Sequence, residues 1–158
     1  MKIITIIGNN YVGSYLHTRT ACRALIIKDN EILLSYERNT DQYQLPGGGL
    51  EKGESDIECV IREVKEETGY IITTNECELE IDEYYGDSKF IIKYFIGKIV
   101  DKGETNLTEN EKEVGMEPRF VSLEEALSIF ASHEKYRDKQ EMKSGMYLRE
   151  YTALKELL

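Results

Sequence analysis

The stretch GGLEKGESDIECVIREVKEETGY, Gly48–Tyr70, decides the fold of this chain, because it joins a glycine-rich turn to a well-delimited helix. Ser55 can cap the start of that helix, and together with Glu58 it forms the S-x-x-E pattern of a capping box. Gly69 stands where the left-handed residue that follows a helix belongs. The sequence therefore predicts a helix from about Ser55 to Thr68.

The predicted helix has two chemically different faces. At about 100° per residue, one arc is apolar and a second arc, about 120° away, is acidic. The apolar arc contains Ile57, Val60, Ile61 and Val64, and the acidic arc contains Glu63, Glu66 and Glu67. Like charges at these spacings destabilise a helix by a few tenths of a kcal/mol per pair, and carboxylates near its C-terminal end also oppose the helix dipole.

Two explanations account for the acidic arc. It is a solvated surface on which Arg62 and Lys65 offset the charge, or it binds a divalent cation. The three glycines that follow Pro46 favour the cation, because glycine lets a backbone approach a neighbouring group closely. Mg²⁺ prefers oxygen ligands and leaves coordination positions for water and substrate phosphates. Flexible backbone beside clustered carboxylates thus indicates a metal and phosphate site.

Strands and helices alternate on both sides of this stretch. RALIIKDNEILLSYE predicts a hairpin that turns at Asp29 and Asn30, and residues 2 to 7 predict an earlier strand. Further strands are predicted in IITTNECELEID, KFIIKYFIGKIV and RFVS, an acidic loop in DKGETNLTENEKEVGME, and helices in SLEEALSIF and MYLREYTALKELL. This order predicts a layered α/β fold, and 158 residues fit one domain over residues 1–158.

Composition excludes several classes of protein. A net charge of −10 opposes non-specific binding to nucleic acid, which needs clustered cations. No apolar run is long enough to cross a bilayer, so we expect no membrane association. The three cysteines form no CxxC pair, which argues against a disulfide scaffold or a zinc site. We expect a cytoplasmic protein with reduced cysteines.

The residues of this stretch resemble the Nudix box, which is a glycine, five residues, a glutamate, seven residues, then Arg-Glu-aliphatic-any-Glu-Glu-any-Gly-aliphatic. The matching residues are Gly48, Glu54, Arg62, Glu63, Val64, Glu66, Glu67 and Gly69. Tyr70 departs from the pattern, since an aliphatic residue is usual there. LPGGG before the box and PRFVSLEEAL after it also follow the order of a Nudix domain. The resemblance implies an α/β/α sandwich with a mixed central β-sheet.

The resemblance also implies a hydrolase. Nudix hydrolases cleave a nucleoside diphosphate linked to another moiety, by attack of water on a pyrophosphate phosphorus, with Mg²⁺ or Mn²⁺ as the cofactor. By this resemblance Arg62 orients a neighbouring carboxylate, and either Glu63 or Glu66 is the general base. The implied metal ligands are the carbonyl of Gly47 together with Glu63, Glu66, Glu67 and, from a later loop, Glu113.

Three further residues are candidates for contact with a small nucleotide substrate. Gly48 lies at the box, and Arg38 precedes the glycines and could give phosphates the two-pronged contact that lysine cannot. Tyr43 could stack on a base. The alternatives are a surface role for Arg38 and a core position for Tyr43.

The identity of the substrate follows less directly from the sequence than the type of reaction does. The chain has prolines only at positions 46 and 118, whereas ADP-ribose hydrolases usually carry one shortly after the box. Tyr84 and Tyr85 occupy that region and hint at dinucleoside polyphosphates. We favour a nucleoside triphosphate or a related nucleotide pyrophosphate. The rivals are a catalytically silent nucleotide-binding regulator and an RNA 5′-pyrophosphate hydrolase, the latter disfavoured by the lack of a basic stripe; a homodimer is left open.

Overall fold

A mixed nine-stranded sheet with helices on both faces forms the centre of the computed structural model, which describes residues 1–158. The strands are Lys2–Ile7 (β1), His17–Lys28 (β2), Glu31–Glu37 (β3), Gln42–Gln44 (β4), Gly47–Gly49 (β5), Tyr70–Thr74 (β6), Leu79–Tyr85 (β7), Ser88–Lys102 (β8) and Met116–Ser122 (β9). The helices are Asp56–Thr68 (α1), Glu109–Glu113 (α2), Leu123–Ala131 (α3) and Glu141–Leu157 (α4), with a 3₁₀ turn at Ser132–Tyr136. This confirms the predicted α/β sandwich.

The strand order explains how the glycine segment comes to lie at the edge of the sheet. The main path runs β1-β7-β8-β2-β3-β4, while β5 pairs with β2, β6 with β8 and β9 with β3. β2 runs parallel to β8, and β5 runs antiparallel to β2 on its other side. The three glycines are therefore a short outer strand that has only β2 as a neighbour.

Local sequence signals set the turns and the ends of α1. Asp29 and Asn30 both adopt positive φ, 51° and 65°, as a two-residue hairpin turn requires, and they join β2 to β3. The Ser55 hydroxyl accepts a hydrogen bond from the Glu58 backbone N–H at 3.1 Å. Gly69 closes the helix with a φ of 81°. The predicted hairpin turn is thus confirmed, and so are the predicted start and end of α1.

Two apolar cores lie on opposite faces of the sheet. On one face Val60 and Val64 of α1 pack on Cys22, Leu33 and Phe95. The other core is built from the sheet together with α3 and α4, and it includes Ile81, Ile92, Tyr94, Phe130, Tyr147 and Leu154. Because side chains alternate along a strand, the central strands β2, β3 and β8 contribute residues to both cores.

The structure adds elements that the sequence did not predict. The segment predicted as an acidic loop contains α2, whose start is capped by Thr108 and Glu111 in a reciprocal capping box. IITTNECELEID, predicted as one strand, is divided between β6 and β7. The last helix begins at Glu141, earlier than its apolar periodicity indicated. None of the helices combines the length and the apolar character needed to cross a membrane.

Candidate metal and phosphate site

The glycine strand β5 lies so close to its neighbours that no side chain fits on either of two positions. A Cβ on Gly47 would stand 2.1 Å from the carbonyl oxygen of Cys22 in β2. A Cβ on Gly48 would stand 2.5 Å from the carboxyl carbon of Glu63. The bare backbone of β5 therefore lets a carboxylate of α1 press against the edge of the sheet.

Arg62 holds the acidic residues of the site in place. Its Nε donates to Glu54 Oε2 at 2.6 Å and its Nη2 donates to Glu54 Oε1 at 3.0 Å. Its Nη1 donates to Glu63 at 2.9 Å and to Glu66 at 3.1 Å. Nη2 also donates to the carbonyl of Gly49 at 3.1 Å. One guanidinium thus joins three carboxylates of the box to the glycine strand, a planar fork that lysine could not reproduce.

Glu67 is the most deeply buried carboxylate of the box. Only 3% of the residue is exposed, and its Oε2 accepts a hydrogen bond from the Ser35 hydroxyl of β3 at 2.8 Å. The pKa of Glu67 is raised to about 8, mainly by burial; the charge of Arg23 and the Ser35 hydrogen bond oppose the rise, and the charges of Glu111 and Glu63 add to it. A buried carboxylate among like charges is a group that a bound cation would stabilise as the anion.

Glu63 shares this environment, but the box carboxylates do not meet at one point. Burial is the main cause that raises the pKa of Glu63, and Glu66 and Glu111 add to it, whereas Arg62 opposes the rise. Glu63 and Glu66 are bound to Arg62, and Glu67 is bound to Ser35. Accordingly, no three acidic, imidazole or thiol groups are arranged as a metal-ligand cluster. The side chains would have to rotate about their terminal bonds to share an ion.

Glu111 and the predicted Glu113 lie on the same short helix, α2, and differ in exposure. The charge of Glu111 contributes to the raised pKa of both Glu63 and Glu67, while Glu113 is exposed. The loop before α2 is tied to the end of α1, since Asn106 N–H donates to the Glu66 carbonyl and Gly103 N–H to that of Gly69, both at 2.7 Å. The loop that leads into α2 is thereby held at the C-terminal end of α1.

The contacts of Arg38 and Tyr43 are with other parts of the fold. Arg38 is 61% exposed, and its Nε donates to the carbonyl of Gly115 at 3.3 Å and lies 3.9 Å from Glu117. The ring of Tyr43 packs on Tyr36 with centroids 4.4 Å apart. Neither residue forms a hydrogen bond or an ion pair with a box carboxylate. Tyr43 is thus half-buried against the edge of the core, and its stacking on a base stays a prediction.

Arg19 is a candidate that the sequence did not reveal. It lies on β2 beside the glycine strand, and a Cβ on Gly49 would meet its Nη2 at 3.1 Å. Arg19 is exposed and forms no ion pair in the structure. The two faces of β5 therefore carry opposite charges, with Glu63 against Gly48 and Arg19 against Gly49. The signal for this role is strand pairing, which places Ala21 opposite Gly49.

The donor chemistry of the site fits a hard divalent cation. The available ligands are carboxylate oxygens from Glu63, Glu66 and Glu67, with Glu111 near, and backbone carbonyls of the glycine strand. Oxygen ligands of this kind suit Mg²⁺ or Mn²⁺ and not a metal that prefers sulfur or imidazole. An ion there would offset both the burial, which is the main cause of the raised pKa values of Glu63 and Glu67, and the like charges that add to it.

Comparison with known proteins supports this assignment of the box. A sequence model of the NUDIX domain matches residues 17–142. The chain is 48% identical over 60 residues to an ADP-ribose pyrophosphatase of Methanocaldococcus jannaschii, over 36% of each protein. It is 33% identical over 118 residues to an ADP-ribose pyrophosphatase of Bacillus subtilis, over 73% of this chain and 59% of that protein.

A solved structure has the same fold. A NUDIX hydrolase from Nitrosomonas europaea superposes with a TM-score of 0.63 at 24% identity, covering 86% of this chain and 89% of the other. The curated relatives are matched over less than two thirds of their own length, about a third of the Methanocaldococcus protein and 59% of the Bacillus protein.

Proposed function

This chain belongs to the NUDIX family, and from that membership and the geometry of its acidic site we propose that it hydrolyses nucleotide pyrophosphates with the help of a divalent metal. It would do so as one domain over residues 1–158, since β1 and the part of α4 beyond the matched range pack into the same core. The observation that carries the proposal is the set of ion pairs from Arg62 to Glu54, Glu63 and Glu66 beside a glycine strand.

The metal would be Mg²⁺ or Mn²⁺, held by Glu63, Glu66 and Glu67 with a carbonyl of the glycine strand, for which Gly47 is our candidate. We prefer Glu111 to Glu113 as the additional acidic residue, because its charge contributes to the raised pKa of both Glu63 and Glu67. When bound, such a cation would lower the pKa of a coordinated water molecule and would neutralise negative charge on phosphate oxygens.

The protein's own residues have separate roles in this proposal. Glu54 fixes the plane of the Arg62 guanidinium, and Arg62 in turn orients Glu63 and Glu66. One of those two carboxylates accepts the proton of the attacking water, as a general base must. Arg19, a cation without a partner on the other side of the glycine strand, meets the phosphate chain. Gly48 provides backbone at the point where carboxylate and phosphate come together.

A nucleoside triphosphate is the substrate that we favour. The cleaved bond is a phosphoanhydride. The part of the site that binds the pyrophosphate does not discriminate between the groups attached to it. The curated names of two relatives make ADP-ribose the second candidate. Both substrates contain the linkage that the proposed reaction needs, and they differ in the base and in the group beyond the pyrophosphate.

The test is a hydrolysis panel in ¹⁸O-labelled water with Mg²⁺, containing nucleoside triphosphates, ADP-ribose and dinucleoside polyphosphates. We expect metal-dependent release of one ¹⁸O-labelled phosphate product, and Glu66→Gln should lower kcat by about a hundredfold or more, as loss of a general base or metal ligand does. Tight nucleotide binding without turnover on any substrate would instead support a silent regulator.

A further inference from the structure

A cavity of about 660 Å³ lies on the sheet face opposite α1, between β1, β7, β8 and the first half of α4. Its volume falls within the range of small-molecule sites. Its apolar wall includes Tyr85, Phe90, Met142 and Met146, and its charged lining includes Glu83 and Arg149. Flat aromatic and flexible thioether surfaces together suit a planar, partly apolar ligand.

One polar atom in the charged part of the cavity lining has no hydrogen-bond partner. The Arg149 side chain is only 9% exposed, and its Nη1 donates to Glu83 Oε1 at 3.3 Å. Its Nε donates to Tyr94 and to Glu150, both at 3.1 Å. Arg149 Nη2 is buried and has no hydrogen-bond partner. Buried guanidinium N–H groups normally donate to an acceptor, and the protein supplies none for this nitrogen. A bound ligand would supply it.

The charged part of the cavity lining is connected to the glycine strand through Leu45, which directly precedes Pro46 and β5. Glu150 accepts the backbone N–H of Leu45 at 2.6 Å, and Arg23 donates to the Leu45 carbonyl at 2.7 Å. Arg149 therefore belongs to a network that positions both the cavity and the start of the glycine strand. A ligand held in the cavity would be held in a fixed relation to the box.

The register of the sheet places the cavity and Arg19, beside the glycine strand, in one row. Glu83 pairs with Phe90, and Phe90 pairs with Arg19, so the three residues form a row across β7, β8 and β2. From β7 to β5 is three strand spacings, or about 14 Å. An extended nucleoside triphosphate has a similar length from the edge of its base to its terminal phosphate.

We propose that this cavity binds the base of the substrate nucleotide and that Glu83 and Arg149 select guanine. The inference rests on the proposed nucleotide hydrolysis and names its substrate class. Guanine presents the O6 acceptor beside the N1–H and N2–H donors, which match an arginine N–H beside a carboxylate. Adenine has no carbonyl and only one exocyclic donor, and it therefore fits this pair less completely.

The test measures binding without requiring catalysis. Isothermal titration of the metal-free full chain with GMP, AMP, UMP and ribose 5-phosphate separates the base from the phosphate. We expect GMP to bind at least about tenfold more tightly than AMP, because the second N–H to the carboxylate and the carbonyl contact are both lost with adenine. AMP binding as tightly as GMP, or ribose 5-phosphate binding equally well, overturns the proposal.

Variants locate the selectivity in the cavity. Glu83→Gln should weaken GMP by about tenfold or more and AMP by less than about twofold. Glu80→Gln is the matched control, since Glu80 is on the same strand but on the opposite face. If Glu83→Gln fails to fold, Tyr85→Leu is the second variant, and it should weaken GMP through loss of the aromatic wall. Unchanged GMP binding by a folded Glu83→Gln or Tyr85→Leu protein contradicts the proposal.

The outcomes also separate this inference from the proposed hydrolysis. Selective GMP binding without turnover of GTP would sustain the guanine site and remove the catalytic claim. Turnover of ADP-ribose and GTP at equal kcat/KM, with equal affinity for AMP and GMP, would sustain hydrolysis and remove the guanine site.

Discussion

Arg62 and Glu54 form a two-pronged ion pair, in which Nε and Nη2 of the arginine donate to the two oxygens of the carboxylate at 2.6 and 3.0 Å. Glu54 lies before α1 and Arg62 lies within it, so the pair ties the loop after the glycine strand to the helix. Because only 11% of the Glu54 side chain is exposed, this pair is screened less than a surface ion pair.

The Glu54–Arg62 pair should make stability depend on pH in acid. The Arg62 guanidinium holds the pKa of Glu54 at about 2, below its ordinary value of 4.5. The contribution of this ion pair to the free energy of unfolding is therefore complete above about pH 4.5 and is lost as the pH falls toward 2. We expect Glu54→Gln to cost about 1 to 2 kcal/mol at pH 7 and much less near pH 2, measured by urea unfolding in EDTA.

The control for this prediction is Glu58→Gln, because Glu58 is an exposed residue in the first turn of α1 and forms no ion pair. It should change the free energy of unfolding by a few tenths of a kcal/mol. A Glu54→Gln protein whose deficit is the same at pH 7 and pH 2 would show that the ion pair does not stabilise the fold.

Glu111 and Glu113 offer a matched pair of substitutions on one short helix. Glu111→Gln should lower the affinity for Mg²⁺ by about tenfold, because Glu111 is the residue whose charge reaches Glu63 and Glu67. Glutamine can still accept the Thr108 backbone N–H that Glu111 Oε1 accepts at 2.9 Å, so α2 should persist. Calorimetric Mg²⁺ titrations check this, and a larger loss for Glu113→Gln would restore the original sequence prediction.

Gly48→Ala should displace Glu63 from the glycine strand. The new Cβ would stand 2.5 Å from the Glu63 carboxyl carbon, too close for the carboxylate to stay. We expect metal affinity and hydrolysis to fall by about tenfold or more, with the metal-free melting temperature little changed. Gly49→Ala is the comparison for metal affinity, since its Cβ would meet only the flexible end of Arg19. Equal metal affinity in the two variants would argue against contact between Glu63 and the ion.

Arg19 and Arg38 are competing candidates for the phosphate contact. We expect Arg19→Gln to raise KM for a nucleoside triphosphate by about tenfold, because a charge-assisted hydrogen bond to phosphate is lost. Arg38→Gln should have the smaller effect, since Arg38 already contacts Gly115 and Glu117. Steady-state kinetics decide between them, and a larger KM change for Arg38→Gln would reverse the assignment.

Sequence alone predicted the features that depend on near neighbours. The ends of α1 follow from Ser55 and Gly69, and the hairpin from Asp29 and Asn30, because caps and turns are set within a few residues. The Nudix box likewise predicted Arg62 as the orienting residue, and helical spacing brings it within hydrogen-bonding distance of Glu63 and Glu66. The hydrogen bond of Glu67 to Ser35 depends on packing against β3 and was not predicted.

Features that depend on distant pairing could not be predicted in the same way. Arg19 lies beside the glycine strand only because β2 pairs with that strand, and the loop before α2 lies at the end of α1 only because it hydrogen bonds there. The contact between Leu45 and Glu150 spans 105 positions of sequence. No local pattern records such contacts, since they arise from the packing of the whole sheet with α4.

Binding of Mn²⁺, followed by electron paramagnetic resonance, tests most directly whether the acidic arc of α1 holds a metal against a nucleotide. The signal of free Mn²⁺ should fall when the wild-type protein is added, and it should fall further with a non-hydrolysable nucleoside triphosphate. Glu66→Gln and Glu67→Gln should each weaken Mn²⁺ binding by about tenfold or more. Mn²⁺ binding that is absent in the wild-type protein, or that is unchanged in both variants, would contradict the account.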